Sequence, residues 1–115
     1  QVDGNDELLS YLYLNARVLI FPSIYEGFGL SLIESMYYGC PIISSNTSVM
    51  PEVCANAAEY FNPYNSEELS IAIKKIVHSD NYRLKLINNC KSNVKKFTWK
   101  KCAEKTINVY NKFIF

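Results

Sequence analysis

Apolar positions recur along the chain in two rhythms. Leu8, Leu9, Leu12 and Tyr13 stand at helical spacing behind Asp6, a good N-cap, and predict a helix from about Asp6 to Asn15. Arg17 to Phe21 is instead a short apolar run halted by Pro22, which predicts a strand buried on both faces, as in a parallel sheet. After the loop Ser23 to Gly29, the positions Leu30, Leu32, Ile33, Met36 and Tyr37 return to helical spacing. Gly39 suits the left-handed end of that helix, and Pro41 prevents its continuation. Pro41 to Ser44 is the next short strand. A polar loop, Ser45 to Ser48, then leads to a single turn around Met50 to Cys54.

A third strand is predicted at Ala58 to Phe61, ended by Asn62-Pro63. Asn65 with Glu68 three residues on resembles a capping box, and Leu69, Ile71, Ala72, Ile73, Ile76 and Val77 form the core-facing side of the helix it opens. Asp80 opens another helix, carrying Leu84, Leu86 and Ile87 to about Lys95. Thr98 caps a last one, with Trp99, Cys102, Ile107 and Tyr110 along it. Helices alternate with short strands as far as residue 77, and helices alone follow. The pattern is that of an open α/β layer with a helical tail.

Composition narrows the class. The chain has 115 residues, 49% hydrophobic and 20% charged, with four Gly and four Pro. That length holds one domain, and the apolar share excludes disorder and low-complexity repeats. Twelve basic against eleven acidic side chains leave a net charge of +1, too weak a field to attract nucleic acid or anionic lipid in general. Apolar runs such as Val18 to Phe21 are too short to span a bilayer or serve as a signal-peptide core. Cys40, Cys54, Cys90 and Cys102 form no CxxC pair and His78 is the single histidine, so local ligands assemble no zinc site. Cysteines in apolar or turn segments fit reduced thiols, and a soluble, cytoplasmic setting is expected. The chain opens at Gln1 in mid-pattern without a Met, which reads as a piece of a longer protein.

Chemistry concentrates in Glu26-Gly27-Phe28-Gly29-Leu30-Ser31-Leu32-Ile33-Glu34. The segment follows the C-terminal end of a predicted strand and opens a helix, the place where open α/β sheets bind ligands. Two glycines allow close backbone approach, and the free N–H groups of Gly29, Leu30 and Ser31 with the helix dipole suit a phosphate. Glu34, one turn into the helix on the side of Leu30, can accept both hydroxyls of a ribose. Glu26, beyond the glycines, can accept hydrogen bonds from a sugar. Phosphate in the middle, ribose to one side and sugar to the other describe a nucleotide sugar. One alternative stays open: Ser31-Leu32-Ile33-Glu34 is also a capping box, in which Glu34 would only bond the backbone amide of Ser31.

The spacing Glu26-x7-Glu34 resembles that of the retaining GT-B glycosyltransferases, in particular their family 4 (glycosyl transferases group 1). So, in order, do Arg17 to Ser23, Glu26 to Leu30, Glu34-Ser35-Met36, Gly39 to Ile43, Pro51-Glu52-Val53, Asn62-Pro63 and Phe97-Thr98-Trp99. The resemblance runs from about Asp6 to Tyr110. It implies that residues 1–115 are the C-terminal part of a nucleotide-sugar-binding donor domain: a partial Rossmann-like parallel sheet with flanking helices and a helical C-terminal tail. The N-terminal acceptor domain would be a missing partner. Glu26 and the amides of Gly27 and Phe28 would contact the transferred sugar. The amides of Gly29, Leu30 and Ser31 would meet the diphosphate, and Glu34 the ribose. Glu26 would act catalytically by orienting the sugar and stabilising charge at the anomeric carbon, with front-face attack and no covalent intermediate. Backbone amides and basic side chains would neutralise the phosphates without a metal. No cofactor is implied beyond a UDP- or GDP-linked sugar as substrate.

The whole protein is thereby expected to glycosylate a saccharide or lipid-linked acceptor in bacterial cell-surface polysaccharide synthesis, with this fragment inactive alone. The upstream Arg and Lys that clamp the diphosphate in the family are missing from the chain. Ala55-Asn56 replaces a frequent Gly-Asp, and Tyr37-Tyr38 replaces smaller residues. Two rival functions remain: a GT-B sugar-nucleotide epimerase, whose motifs differ, and a non-catalytic nucleotide-sugar-binding or assembly module. Among the other polar groups, Glu52 fits the first turn of a short helix, and Ser44, Ser45 and Ser48 fit caps and turns or donor contacts. His78 fits a helix C-terminus. Lys95, Lys96, Lys100, Lys101 and Lys105 fit a solvated face or a peripheral contact with anionic membrane at the inner face of the cytoplasmic membrane. Trp99 and Tyr110 are expected in the core or at a domain-docking surface.

Overall fold

The computed structural model describes residues 4–114. In chain order it contains α1 (Asp6–Asn15), β1 (Leu19–Phe21), α2 (Leu30–Tyr38), β2 (Ile42–Ser45), α3 (Met50–Cys54), β3 (Ala58–Phe61), α4 (Ser66–His78), α5 (Asp80–Asn93) and α6 (Trp99–Asn111). Short 3₁₀ turns occupy Ala55–Ala57 and Val94–Lys96. The three strands form one parallel sheet in the order β1-β2-β3, with Leu19 beside Ile42 and Ile42 beside Ala58. The α/β class and the parallel sheet expected from the sequence are what the chain adopts.

Alternation along β2 divides the core. Ile42 packs on one face with Leu32 and Met36 of α2, Met50 and Val53 of α3, and Cys90 of α5. Ile43 packs on the other with Phe61, with Ala72 and Ile76 of α4, and with Leu86 of α5. Helices therefore cover both faces, and β2 is buried along its whole length. β1 departs from the expectation of burial on both faces. Within the described residues it lies at the edge of the sheet, and Ile20 is 39% exposed, since α4 packs over β2 and β3.

Local capping differs in detail. Asn5, not Asp6, caps α1, its side chain accepting from the Leu8 amide. Asn65 caps α4 by accepting from the Glu67 and Glu68 amides, and Glu68 reaches back to the Asn62 amide at 2.7 Å. On α4 the buried stripe is narrower than its apolar residues suggest. Ala72 and Ile76 are buried, whereas Ile71 and Val77 face solvent, as does Leu84 on α5. α6 is capped by Thr98 as expected, yet it buries none of its side chains, and Trp99 is 86% exposed. Among the described residues Trp99, Cys102, Ile107 and Tyr110 therefore enter no core. Cys40, Cys54 and Cys90 are buried thiols, and Cys102 is exposed.

Candidate nucleotide-sugar site

The motif loop leaves the C-terminal end of β1 and enters α2, as its spacing predicts. Gly29 is the N-cap of α2 with φ 84°, and no side chain caps this helix end. An added Cβ at Gly29 would lie 2.9 Å from Leu32 Cδ1, so glycine is demanded twice, by backbone conformation and by space. Gly27 differs: its φ is not in the left-handed region, and a Cβ there would meet nothing within 4 Å. The fold itself does not require glycine at 27. The open backbone there is available to a ligand.

Polar residues after β2 fasten this loop. Ser45 Oγ donates to the Ser23 carbonyl, and Thr47 Oγ1 donates to the Ile24 carbonyl at 3.0 Å. Ser48 Oγ donates to the Glu26 carbonyl at 3.1 Å and accepts from the Glu26 amide at 3.3 Å, bracketing that residue's backbone. Ser48 takes φ 54° to do so, an uncommon conformation for a residue other than glycine. The Glu26 carboxylate accepts from Ser23 Oγ at 2.8 Å through Oε1. Of the serines expected to cap, turn or touch a ligand, Ser45 and Ser48 brace the loop. Ser44 is fully buried in the sheet, out of reach of any ligand. Glu52 lies in the first turn of α3 and His78 ends α4.

Beyond the glycines, Phe28 packs edge-on against Phe97, with centroids 5.9 Å apart and planes at 71°. This contact ties the loop to the entrance of α6. Leu30 is 63% exposed at the mouth of α2. Glu34 does not complete a capping box. Its Oε2 accepts from the Tyr13 hydroxyl at 3.1 Å, across 21 residues of sequence. Tyr13 is the one buried residue of α1, stacked on Tyr38 with centroids 5.8 Å apart, and Tyr38 Oη lies 2.7 Å from Ser10 Oγ. Burial, then the bond to Glu34, push the Tyr13 hydroxyl up to about 12, so it remains a donor. A groove between α1 and α2 runs along Asp6, Leu9, Ser10, Glu34 and Tyr38.

The structure thus places Glu26, Gly27, Phe28, Gly29, Leu30 and Ser31 on one loop and helix start, with Glu34 one turn further on. An uncapped helix N-terminus with a carboxylate residue before it and another one turn after it in the chain can take an anion flanked by hydroxyl-bearing groups. Sequence reasoning missed Tyr13, Thr47 and Phe97 as parts of the site. The one available signal was chemical: a tyrosine at a core-facing helical position has a hydroxyl that must find a partner.

Comparison with known proteins bears on this arrangement. The family model described as Glycosyl transferases group 1 matches residues 2–93. The O-antigen chain mannosyltransferase B of Escherichia coli is 37% identical over 91% of this chain and 28% of its own length. The MMP alpha-(1->4)-mannosyltransferase of Mycolicibacterium hassiacum is 33% identical over 96% of this chain and 28% of its own. Among solved structures, the sucrose-phosphate synthase of Thermosynechococcus elongatus superposes with a TM-score of 0.83 and 28% identity, covering 98% of this chain and 29% of that one. The chain spans less than a third of the length of each of these relatives.

Proposed function

The chain belongs to the glycosyl transferases group 1 family, of GT-B type, and we propose that residues 1–115 are the C-terminal part of its donor-binding domain. The full-length protein then transfers a sugar from a nucleoside diphosphate to a saccharide or lipid-linked acceptor in cell-surface polysaccharide synthesis. The names of the relatives above favour mannose as that sugar. One observation carries the reading: α2 starts uncapped behind left-handed Gly29, just past the C-terminal end of a parallel strand, with Glu26 before that start in the chain and Glu34 one turn after it.

In this reading the amides of Gly29, Leu30 and Ser31 receive the diphosphate, and the α2 dipole offsets its charge. The departing phosphate is stabilised there as the bond to the sugar breaks. The sugar lies over the open backbone of Gly27 and Phe28. Glu26, held by Ser23 and by the Ser48 bracket, accepts from sugar hydroxyls and stabilises positive charge at the anomeric carbon. The acceptor hydroxyl attacks the anomeric carbon from the face the phosphate leaves, which retains configuration, and its proton passes to the departing phosphate oxygen as the bond to the sugar breaks. Glu34 takes the ribose diol. Backbone amides and cationic side chains balance the phosphates, so no metal or further cofactor takes part.

No helix of the described residues is long and apolar enough to cross a membrane. The exposed apolar side of α6 is read as the docking surface for the acceptor half of the protein. The lysines Lys95, Lys96, Lys100, Lys101 and Lys105, all exposed, are read as a solvated face, with peripheral contact to anionic lipid at the inner face of the cytoplasmic membrane as the alternative that vesicle co-sedimentation of the full-length protein tests. The deciding experiment replaces Glu26 by Gln in the full-length protein and follows transfer from GDP-mannose and from UDP-linked sugars. Transfer is expected to fall by about a hundredfold or more with the melting temperature unchanged. Wild-type turnover in the variant would remove Glu26 from the chemistry.

A further inference from the structure

Glu34 carries the ribose in the reading above, and the further inference rests on that assignment. A glutamate one turn into a helix has three rotatable bonds and enters few fixed contacts unless something holds it. Here a second element does so. Tyr13 comes from α1, its ring locked by burial and by stacking on Tyr38. Tyr38 is pinned in turn through Ser10. The Tyr13 hydroxyl has two acceptors in range, the Ser31 carbonyl at 3.4 Å and Glu34 Oε2 at 3.1 Å. It has one proton, and the shorter contact to the charged oxygen is the stronger bond.

We propose that Tyr13 is a positioning residue for nucleotide binding, which fixes the Glu34 carboxylate so that its remaining lone pairs face the ribose diol. A carboxylate offers about four acceptor positions. One is taken by Tyr13, and two of the remainder suffice for a diol. Glu34 also lines the groove beside Asp6, Leu9, Ser10 and Tyr38, so the bond to Tyr13 leaves it open to a ligand. A tyrosine hydroxyl carries its proton throughout the neutral range, and burial with the bond to Glu34 raises its titration further, so Tyr13 is a donor there. In consequence the docking of α1 on α2 and recognition of the ribose are one device.

The test uses the full-length protein and four probes: UDP, 2′-deoxy-UDP, GDP and 2′-deoxy-GDP. Tyr13→Phe keeps the ring, its stacking and its burial, and removes only the hydroxyl. With the ribonucleotide that wild type prefers, Tyr13→Phe is expected to weaken binding roughly fivefold. With the matching deoxynucleotide it is expected to change affinity little, so the ribose preference shrinks. In a Glu34→Ala background the same substitution should have no further effect on nucleotide affinity. A purely structural tyrosine would weaken both nucleotides alike. Tyr13→Phe with the full ribose preference intact overturns the proposal while leaving Glu34 in its role. A wild-type protein that fails to distinguish ribose from deoxyribose overturns the Glu34 assignment, and this inference with it.

Discussion

Gly27 and Gly29 stand two residues apart in the same loop, yet the structure gives them opposite requirements. At Gly29 the backbone is left-handed, which costs an L-residue about 1–2 kcal/mol. The new Cβ would also press 2.9 Å against Leu32 Cδ1, and Leu32 is fully buried, so its side chain has little room to yield. Overpacking of that kind costs about 1–3 kcal/mol, and Gly29→Ala should lose about 2–5 kcal/mol in all. At Gly27 neither term exists. There Ala should leave stability unchanged or raise it by about 0.5 kcal/mol, since it restricts the unfolded chain. Its Cβ would instead stand in the space assigned to the sugar and weaken donor binding by about tenfold. The assay pairs thermal melts of both variants with calorimetric titration of the full-length protein by GDP-mannose and UDP-sugars. If Gly27→Ala kept both its melting temperature and its donor affinity, no ligand would approach that backbone and the sugar subsite would be misplaced. A large loss of stability at Gly27 would refute the geometric argument itself.

Three further outcomes follow from the packing. Ala55 sits at φ 49°, ψ −117°, a conformation suited to glycine, so Ala55→Gly should gain about 1 kcal/mol and raise Tm by about 4 °C in a melt. Asn93 is buried and donates through Nδ2 to the Val53 carbonyl at 2.8 Å and the Cys54 carbonyl at 3.2 Å; Asn93→Ala should cost about 2–3 kcal/mol in urea unfolding, because both carbonyls stay buried. Burial pushes the Cys54 and Cys90 thiols up to about 12 and raises Cys40 too, so the folded chain keeps protons that the unfolded chain releases near pH 9. The contribution of Cys54 and Cys90 is complete below pH 9 and is lost as pH rises toward 12, at about 1.4 kcal/mol per pH unit for each of the two, and Cys40 acts in the same direction; urea midpoints under reducing conditions between about pH 8 and pH 11 would record it.

Short-range signals in this chain are strong and mutually consistent. Asp6 to Asn15, Leu30 to Tyr38 and Ala58 to Phe61 could be bounded from apolar spacing, glycine and proline, because helix and strand periods are properties of neighbouring residues. The site loop was legible for the same reason: Glu26, the two glycines and Glu34 lie within nine residues, and a strand-to-helix turn places them together without help from elsewhere. Burial was less legible. Ile71 and Val77 look like core residues in sequence but face solvent, since a two-layer cover leaves α4 only a narrow stripe to bury.

Sequence alone therefore determined the class of fold, the order of elements and the loop that holds the candidate chemistry. Tertiary structure decided which partners act at a distance. It brought Ser48 across from the end of β2 to bracket Glu26, Phe97 against Phe28, and Tyr13 from α1 onto Glu34. No periodicity encodes such pairings. A hydrogen bond across 21 residues depends on how two helices pack, and packing is fixed by the shapes of side chains that meet only after the chain has folded.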